Sequence, residues 1–301
     1  MAKRKSSAVW GGLFVMLAGC LWGTTGLFID WLNTAGLTSM QICELRAFIT
    51  ALLMLLVTVC VKPSLLRIRL RDIWIFLGSG VGSILFFNYC YFNAIQTSGM
   101  AVAATLLYTA PVFVMLLSLP LFGEKITGRK VIALTMTVAG CVLVSGVVTS
   151  GGAFTKEGIL YGVGAGFGYA LYSIFTRFAI RRRYESMTIT TYTFLIATIG
   201  GAFLTDFGQI VAATVTGGAE LWVLLIGYAV VTTVAPYLLY TNGLRHIDNS
   251  RASVMAAVEP ACATLLQIII LKTFPGPVAL IGILLVLAAI VVLNTGRKNR
   301  K

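Results

Sequence analysis

The sequence predicts an all-α integral membrane protein. Ten transmembrane helices form two five-helix repeats, residues 1–150 and 151–301, the second inverted relative to the first, with both termini cytoplasmic. Three observations carry that expectation. The chain is 58% hydrophobic and 11% charged, whereas soluble domains carry about a quarter charged residues. Its basic residues fall in alternate links. Its two halves share residues at a constant separation.

Apolar runs of about 20 residues cross a hydrocarbon core as helix. Reading such runs between polar breaks places spans at 9–30, 40–61, 73–95, 101–122, 130–149, 158–178, 188–206, 221–243, 252–271 and 277–295. The links between them are too short for a further soluble domain. The opening "KRK" and the box Leu17-Ala18-Gly19-Cys20 resemble a lipoprotein signal. The apolar run continues through "LWGTTGLFI" to Ile29, however, which favours an uncleaved first helix over a signal peptide.

Charge placement orients the spans. All but Arg46, Lys156 and Lys272 of the 23 lysines and arginines lie at the two termini, in even-numbered links, or at the span ends beside them. That asymmetry follows the positive-inside rule and sets both termini in the cytoplasm, the localisation of a multi-pass cell-membrane protein. The formal net charge of +13 therefore faces anionic headgroups of the bilayer, and no nucleic-acid partner is needed to explain it. The six cysteines form no CxxC pair and no zinc spacing with the single histidine. Neither a metal nor a cofactor is implied.

The halves repeat. "YFNAI" (Tyr91–Ile95) answers "YTNGL" (Tyr240–Leu244) 149 residues later. The same separation carries Gly78 onto Gly227, Ala103 onto Ala252 and Pro111 onto Pro260. Five spans per half is an odd number, so the second half enters the membrane inverted. Inverted repeats are the architecture of many secondary transporters, with substrate bound near the midplane between them.

The segments "LLYTAPVFVMLLSLPLFGEKIT" (Leu106–Thr127) and "VMAAVEPACATLL" (Val254–Leu266), Arg46 opening the second span, and the two Tyr-x-Asn motifs are similar to the ten-helix, EamA-type branch of the drug/metabolite transporter superfamily. The resemblance runs end to end and implies export or exchange of small organic solutes. It departs after the ninth span, where the family often has a second Gly-Glu and this chain has Leu271-Lys272-Thr273.

Candidate transport residues follow from polarity inside spans. Glu259 stands mid-span beside Pro260 in "AAVEPAC". A charge at the bilayer centre costs about 3 kcal/mol or more on insertion scales, so Glu259 is either a proton, cation or substrate site or a carboxyl bonded to a neighbouring helix. Its counterpart in the first half is Ala110, so the fold itself does not demand a carboxylate there. Pro111 and Pro260 read as shared helix breaks, tolerated where they line a cavity. In the third span Tyr89, Asn93 and Gln96 share a helical face, with Asn88 beside Tyr91. These, with Tyr108, Tyr172, Tyr237, Tyr240 and Trp22, are substrate contacts or interhelical glue. Asp30 and Arg46 are candidates for a charge pair at the outer end, or for interfacial side chains that snorkel.

The Gly runs "GSGVG" (Gly78–Gly82) and "GVGAGFG" (Gly162–Gly168) lack a following Lys-Ser/Thr and lie within spans. They predict close helix contact, not a phosphate loop. No Walker motif is present, which argues against ATP drive. The one histidine lies in a link, with no HExxH and no Ser–His or paired-Asp set, which argues against an intramembrane enzyme. The expected function is thus alternating-access transport of amino acids, amines or related metabolites, with protons as a candidate coupled partner. The alternative is a lipid-handling protein or a non-transporting membrane scaffold or receptor.

Overall fold

Backbone amides in hydrocarbon have no water to bond, so a chain this apolar satisfies them within helices. The computed structural model describes residues 2–150, 154–272 and 274–295, and among them contains no strand. In chain order the helices are α1 (Ala2–Trp22), α2 (Thr25–Asn33), α3 (Ser39–Val61), α4 (Ile73–Leu77), α5 (Phe86–Ser98), α6 (Met100–Leu107), α7 (Ala110–Phe122) and α8 (Gly128–Val144). They continue as the short α9 (Val147–Ser150), α10 (Lys156–Arg181), α11 (Ser186–Gly201), α12 (Phe207–Ala229), α13 (Ala235–Leu244), α14 (Asn249–Ala256), α15 (Glu259–Leu271) and α16 (Pro277–Thr295). Wide π turns, Gly78–Leu85 and Val230–Val234, join α4 to α5 and α12 to α13.

Among the described residues, 8 helical stretches are long and apolar enough to cross a membrane: Ser7–Asn33, Ser39–Val61, Leu70–Ser98, Met100–Phe122, Lys156–Arg181, Gly208–Leu244, Asn249–Ile270 and Pro277–Asn294. The other two expected spans coincide with α8 and α11. These are helical but only 17 and 16 residues long. At 1.5 Å per residue each rises about 25 Å, short of the ~30 Å hydrocarbon core.

The structure corrects three expected boundaries. The first span is broken at Gly23–Thr24, where the Thr24 hydroxyl donates to the Leu21 carbonyl at 2.7 Å instead of letting the helix continue. The expected seventh span, 188–206, ends as α11 at Gly201. The eighth starts far earlier than 221, because Asp206 caps α12 by accepting from the Gly208 and Gln209 amides at 2.8 and 3.4 Å. Gly218, at φ 56° and ψ −153°, then bends α12, a conformation that glycine adopts without a Cβ penalty.

The repeat is written in the backbone. α6 and α7 are separated by Tyr108–Thr109, and α14 and α15 by Ala257–Val258, each boundary 149 residues after its counterpart. Both interrupted helices end in a left-handed residue, Gly123 at φ 68° and Lys272 at φ 53°. The prolines sit differently from expectation. Pro111 and Pro260 are the second residues of α7 and α15, where a missing N–H has no intrahelical partner to lose. The breaks precede them by two to three residues.

Packing follows the same exchange. α3 lies on α11, α7 on α14 and α8 on α16. α5 lies on α10, and α1 on α13, which is the same contact with the halves interchanged. Glycines permit the closest crossings. A Cβ on Gly168 of α10 would meet the Phe87 backbone nitrogen at 3.0 Å, and one on Gly282 of α16 would meet the Gly140 carbonyl of α8 at 2.6 Å. Gly82, by contrast, faces open space, so the expected Gly78/Gly82 contact forms only at Gly78, against Phe175.

Candidate transport site

The two interrupted helices converge. Between them and α10 lies a small, partly open cleft, lined by Leu107, Tyr108, Ala110, Pro111 and Val114 from α6–α7, Tyr169 and Ser173 from α10, and Ser253, Ala256, Ala257 and Glu259 from α14–α15. Chain that stops and restarts as helix at membrane depth is accommodated where it borders a cavity, and both interruptions border this one.

Glu259 is the first residue of α15 and is partly exposed to the cleft. Among the described residues no hydrogen bond or ion pair joins its carboxylate to another side chain. The alternative of a carboxyl bonded across to a neighbouring helix is therefore not what the structure shows. The unsatisfied amides of the first turn of α15 give it the positive end of a helix dipole. Pro111 lines the cleft, while Pro260 is buried behind Glu259. The end of α1 runs against the break: a Cβ on Gly19 would meet the Ala256 carbonyl at 2.6 Å, and one on Gly23, just past the helix, the Glu259 carbonyl at 2.8 Å.

Behind Tyr169 is a packed aromatic cluster. Trp22 stands 6.2 Å from Tyr169 and 5.4 Å from both Tyr237 and Tyr240, ring centre to ring centre. Tyr172 meets Tyr237 edge-on at 4.8 Å, and Phe194 does so at 4.9 Å. The hydroxyl of Tyr172 bonds that of Thr241 at 2.9 Å, and the hydroxyl of Tyr240 bonds that of Ser173 at 2.7 Å. Trp22, Tyr172 and Tyr237 thus come together as a buried layer beneath the cleft, with Tyr169 connecting the two.

The third-helix face is a correction. Tyr89 and Gln96 are exposed on the outer surface, Tyr89 against the ring of Tyr161, and the Asn93 amide donates back to the Tyr89 carbonyl at 2.7 Å. The buried residues of α5 are Asn88, Cys90 and Ala94, while Phe87 and Tyr91, partly buried, stack on each other, with Phe87 edge-on to Tyr169. Helical spacing shows which residues share a face, not which way that face turns, and Asn93 satisfies its amide within its own helix.

Asn88 belongs to a second, smaller cleft between α3, α5 and α11. There its amide donates to the Ile84 carbonyl at 2.9 Å. That cleft holds Glu44, buried against Gly201, a residue not singled out from sequence. The signal was present: a carboxylate five residues inside an apolar helix. Nor do Asp30 and Arg46 pair. Asp30 is exposed, and the Arg46 guanidinium lies over the ring of Tyr228, 5.5 Å from its centre. A cation on an aromatic face is a favourable partner in low dielectric.

A polar clasp ties the start of α14 to the turn after α7, to α8 and to α10. Glu124, in the turn after α7, accepts from the amides of Asn249 and Ser250 at 2.7 and 3.2 Å and from the Ser250 hydroxyl. It so caps α14. Lys130, buried at the start of α8, reaches Glu124 at 3.4 Å and Asp248 at 3.5 Å. Arg177 of α10 donates to the Asn249 side chain at 2.7 Å and to the Leu244 and Ile247 carbonyls at 2.6 and 2.5 Å. The charged members of the clasp, Glu124, Lys130 and Arg177, lie in or beside basic links. Their joint role required the three-dimensional fold.

Comparison with known proteins places this architecture. Residues 9–146 and 156–295 each match the model of the EamA-like transporter family. The chain is 30% identical over 260 residues to an uncharacterized transporter of Archaeoglobus fulgidus, covering 85% of this chain and 86% of the relative. It is 23% identical to the uncharacterized transporter YwfM of Bacillus subtilis, covering 96% and 95%. It is 24% identical over 203 residues to a protein of Ancylobacter novellus named aromatic amino acid exporter YddG, covering 66% and 69%. A solved crystal structure superposes on it with a TM-score of 0.78 at 19% identity, over 94% of this chain and 96% of the other, a likeness of fold. With both halves matched in turn and helices apolar enough to cross a membrane repeatedly, the chain belongs to the EamA-like transporter family, whose members are membrane transporters and not enzymes.

Proposed function

We propose that the protein is a secondary transporter that exports or exchanges small organic solutes through the cleft at Glu259. Its two halves, 1–150 and 151–301, are inverted five-helix repeats. With α8 and α11 counted as short spans, ten helices cross the cell membrane, and both termini are cytoplasmic. The basic residues of the alternate links support that orientation.

One observation carries the reading: the cleft forms where an interrupted helix from each half meets the other, with an unpartnered carboxylate at the junction. Arg251 lies eight residues before Glu259, which sets the carboxylate roughly 12 Å into the span from the cytoplasmic end. Rocking one half on the other exposes such a site alternately to each side. In this reading the cluster of Glu124, Lys130, Arg177 and Asn249, drawn from basic links and the residues beside them, sits toward the cytoplasmic side of the cleft and acts as its gate.

The cleft favours an amphipathic amine or amino acid. Tyr108 and Tyr169 offer aromatic walls, Glu259 a partner for an ammonium group, and Ser173 and Ser253 hydroxyls for hydrogen bonds. The printed name of the Ancylobacter relative points to aromatic amino acids among these. Glu259 also supplies an intramembrane acid, which proton exchange against a cationic solute requires. The test is flux into proteoliposomes of phenylalanine, tryptophan, tyramine and alkylamines, at several pH values. Saturable flux of at least one supports the proposal. Lipid scrambling without flux of any solute would favour a lipid-handling role in its place.

A further inference from the structure

We propose that Cys20 and Cys262 are a redox-modification site: on meeting a lipid-soluble two-electron acceptor they close to a disulfide that staples the first half to the second. The two thiols are on different halves, Cys20 on α1 and Cys262 on the first turn of α15, and both are free and half-buried. Their sulfurs stand 2.7 Å apart, closer than non-bonded sulfurs ordinarily rest. A disulfide measures ~2.05 Å, so closing it needs about 0.6–0.7 Å of movement.

The surrounding backbone holds them there. Gly19 and Gly23 flank Cys20. A Cβ on Gly19 would meet the Ala256 carbonyl at 2.6 Å, and one on Gly23 the Ala263 nitrogen at 2.9 Å. α1 therefore lies backbone to backbone on the interruption between α14 and α15, which keeps the Cys20 and Cys262 backbones within bonding reach of one another. The other cysteines lack such a neighbour. Cys43 donates to the Asn88 side chain at 3.7 Å, Cys90 and Cys141 are buried, and Cys60 is exposed far along α3, with no second thiol beside any of them among the described residues.

The chemistry balances with the acceptor named. One thiol ionises and adds to a two-electron acceptor, a membrane quinone or the reagent diamide. The second sulfur displaces the acceptor and forms the S–S bond. The two electrons and both thiol protons leave on the acceptor, as hydroquinone or hydrazine. Cys262 is three residues after Glu259, so the bond ties α1 to the break one turn from the carboxylate. Any motion that separates α1 from α15 then stops. The consequence for transport rests on the function proposed above, while the bond itself does not.

The test uses the full chain in liposomes, treated with diamide and mapped by peptide mass under non-reducing conditions. A Cys20–Cys262 link is expected in the wild type. It is expected to be absent in C20S and C262S and to be reversed by dithiothreitol. Amide exchange across residues 252–266 should slow about tenfold on oxidation. Persistence of both free thiols, linkage spread over other cysteines, or a bond with unchanged exchange would each overturn the proposal. If solute flux is measurable beforehand, it should fall with the fraction linked. Full flux at complete linkage removes the staple. A protein that carries no solute before or after oxidation, yet links and slows its exchange, counts against the transport reading alone.

Discussion

Glu124→Gln probes the clasp. The wild-type carboxylate accepts from two amides and a hydroxyl at the start of α14 and pairs with Lys130 at 3.4 Å. Glutamine keeps one acceptor oxygen and sets an amide donor against Ser250 or Lys130. Weakening the cap costs about 1 kcal/mol. Leaving the Lys130 ammonium, whose side chain is only 9% exposed, without its buried partner costs about 3 kcal/mol more. Asp248 is 58% exposed and solvent-screened, so it does not replace that partner. The total of about 4 kcal/mol is an upper figure, since Lys130 gains by turning outward, and it corresponds to a drop in Tm of order 5–10 °C. Thermal unfolding in detergent of E124Q, K130M and the double variant measures it. Because the stranded ammonium carries most of the cost, K130M in the E124Q background should recover about 2 kcal/mol. Strict additivity of the two single effects, or an E124Q unfolding curve identical to wild type, would refute the reasoning.

Further expectations follow from particular contacts. Glu259→Gln should leave expression and Tm near wild type and abolish the pH dependence of uptake into liposomes; an unchanged pH profile returns Glu259 to a structural role. Gly282→Ala adds a Cβ 2.6 Å from the Gly140 carbonyl and should destabilise the α8–α16 crossing by about 1–3 kcal/mol in the same thermal assay. Tyr172→Phe removes the bond to Thr241 and should cost about 1 kcal/mol while preserving flux, since the ring remains beneath the cleft. Gln96→Ala, on the outer surface of α5, should leave flux within about twofold of wild type, which kinetics in proteoliposomes will check.

Much of the fold is legible because its causes are local or periodic. Apolar run length fixes where helices lie, and the 149-residue correspondence of Pro111 with Pro260 reveals the repeat. That correspondence extends to the helix breaks, the left-handed caps and the π turns. Boundaries set by single side chains are less legible. Asp206 capping α12 and the bend at Gly218 lengthen a span that hydropathy alone starts at 221.

Glu259 could be singled out from the sequence because a carboxylate between Val258 and Pro260 in an apolar run is costly in hydrocarbon wherever the helix packs. The direction in which a helical face turns was not. Tyr89 and Gln96 face outward, while Phe87 meets Tyr169 of α10, whose backbone comes close to α5 at Gly168. The clasp of Glu124 with Lys130, Asn249 and Ser250 and the meeting of Cys20 with Cys262 join residues more than 100 positions apart, six-residue Glu124–Lys130 excepted. Sequence by itself therefore determined the helical class, the repeat and the presence of an intramembrane acid, through solvation and periodicity. Which polar groups meet was decided only in tertiary structure, because it depends on how helices are rotated and brought together by packing.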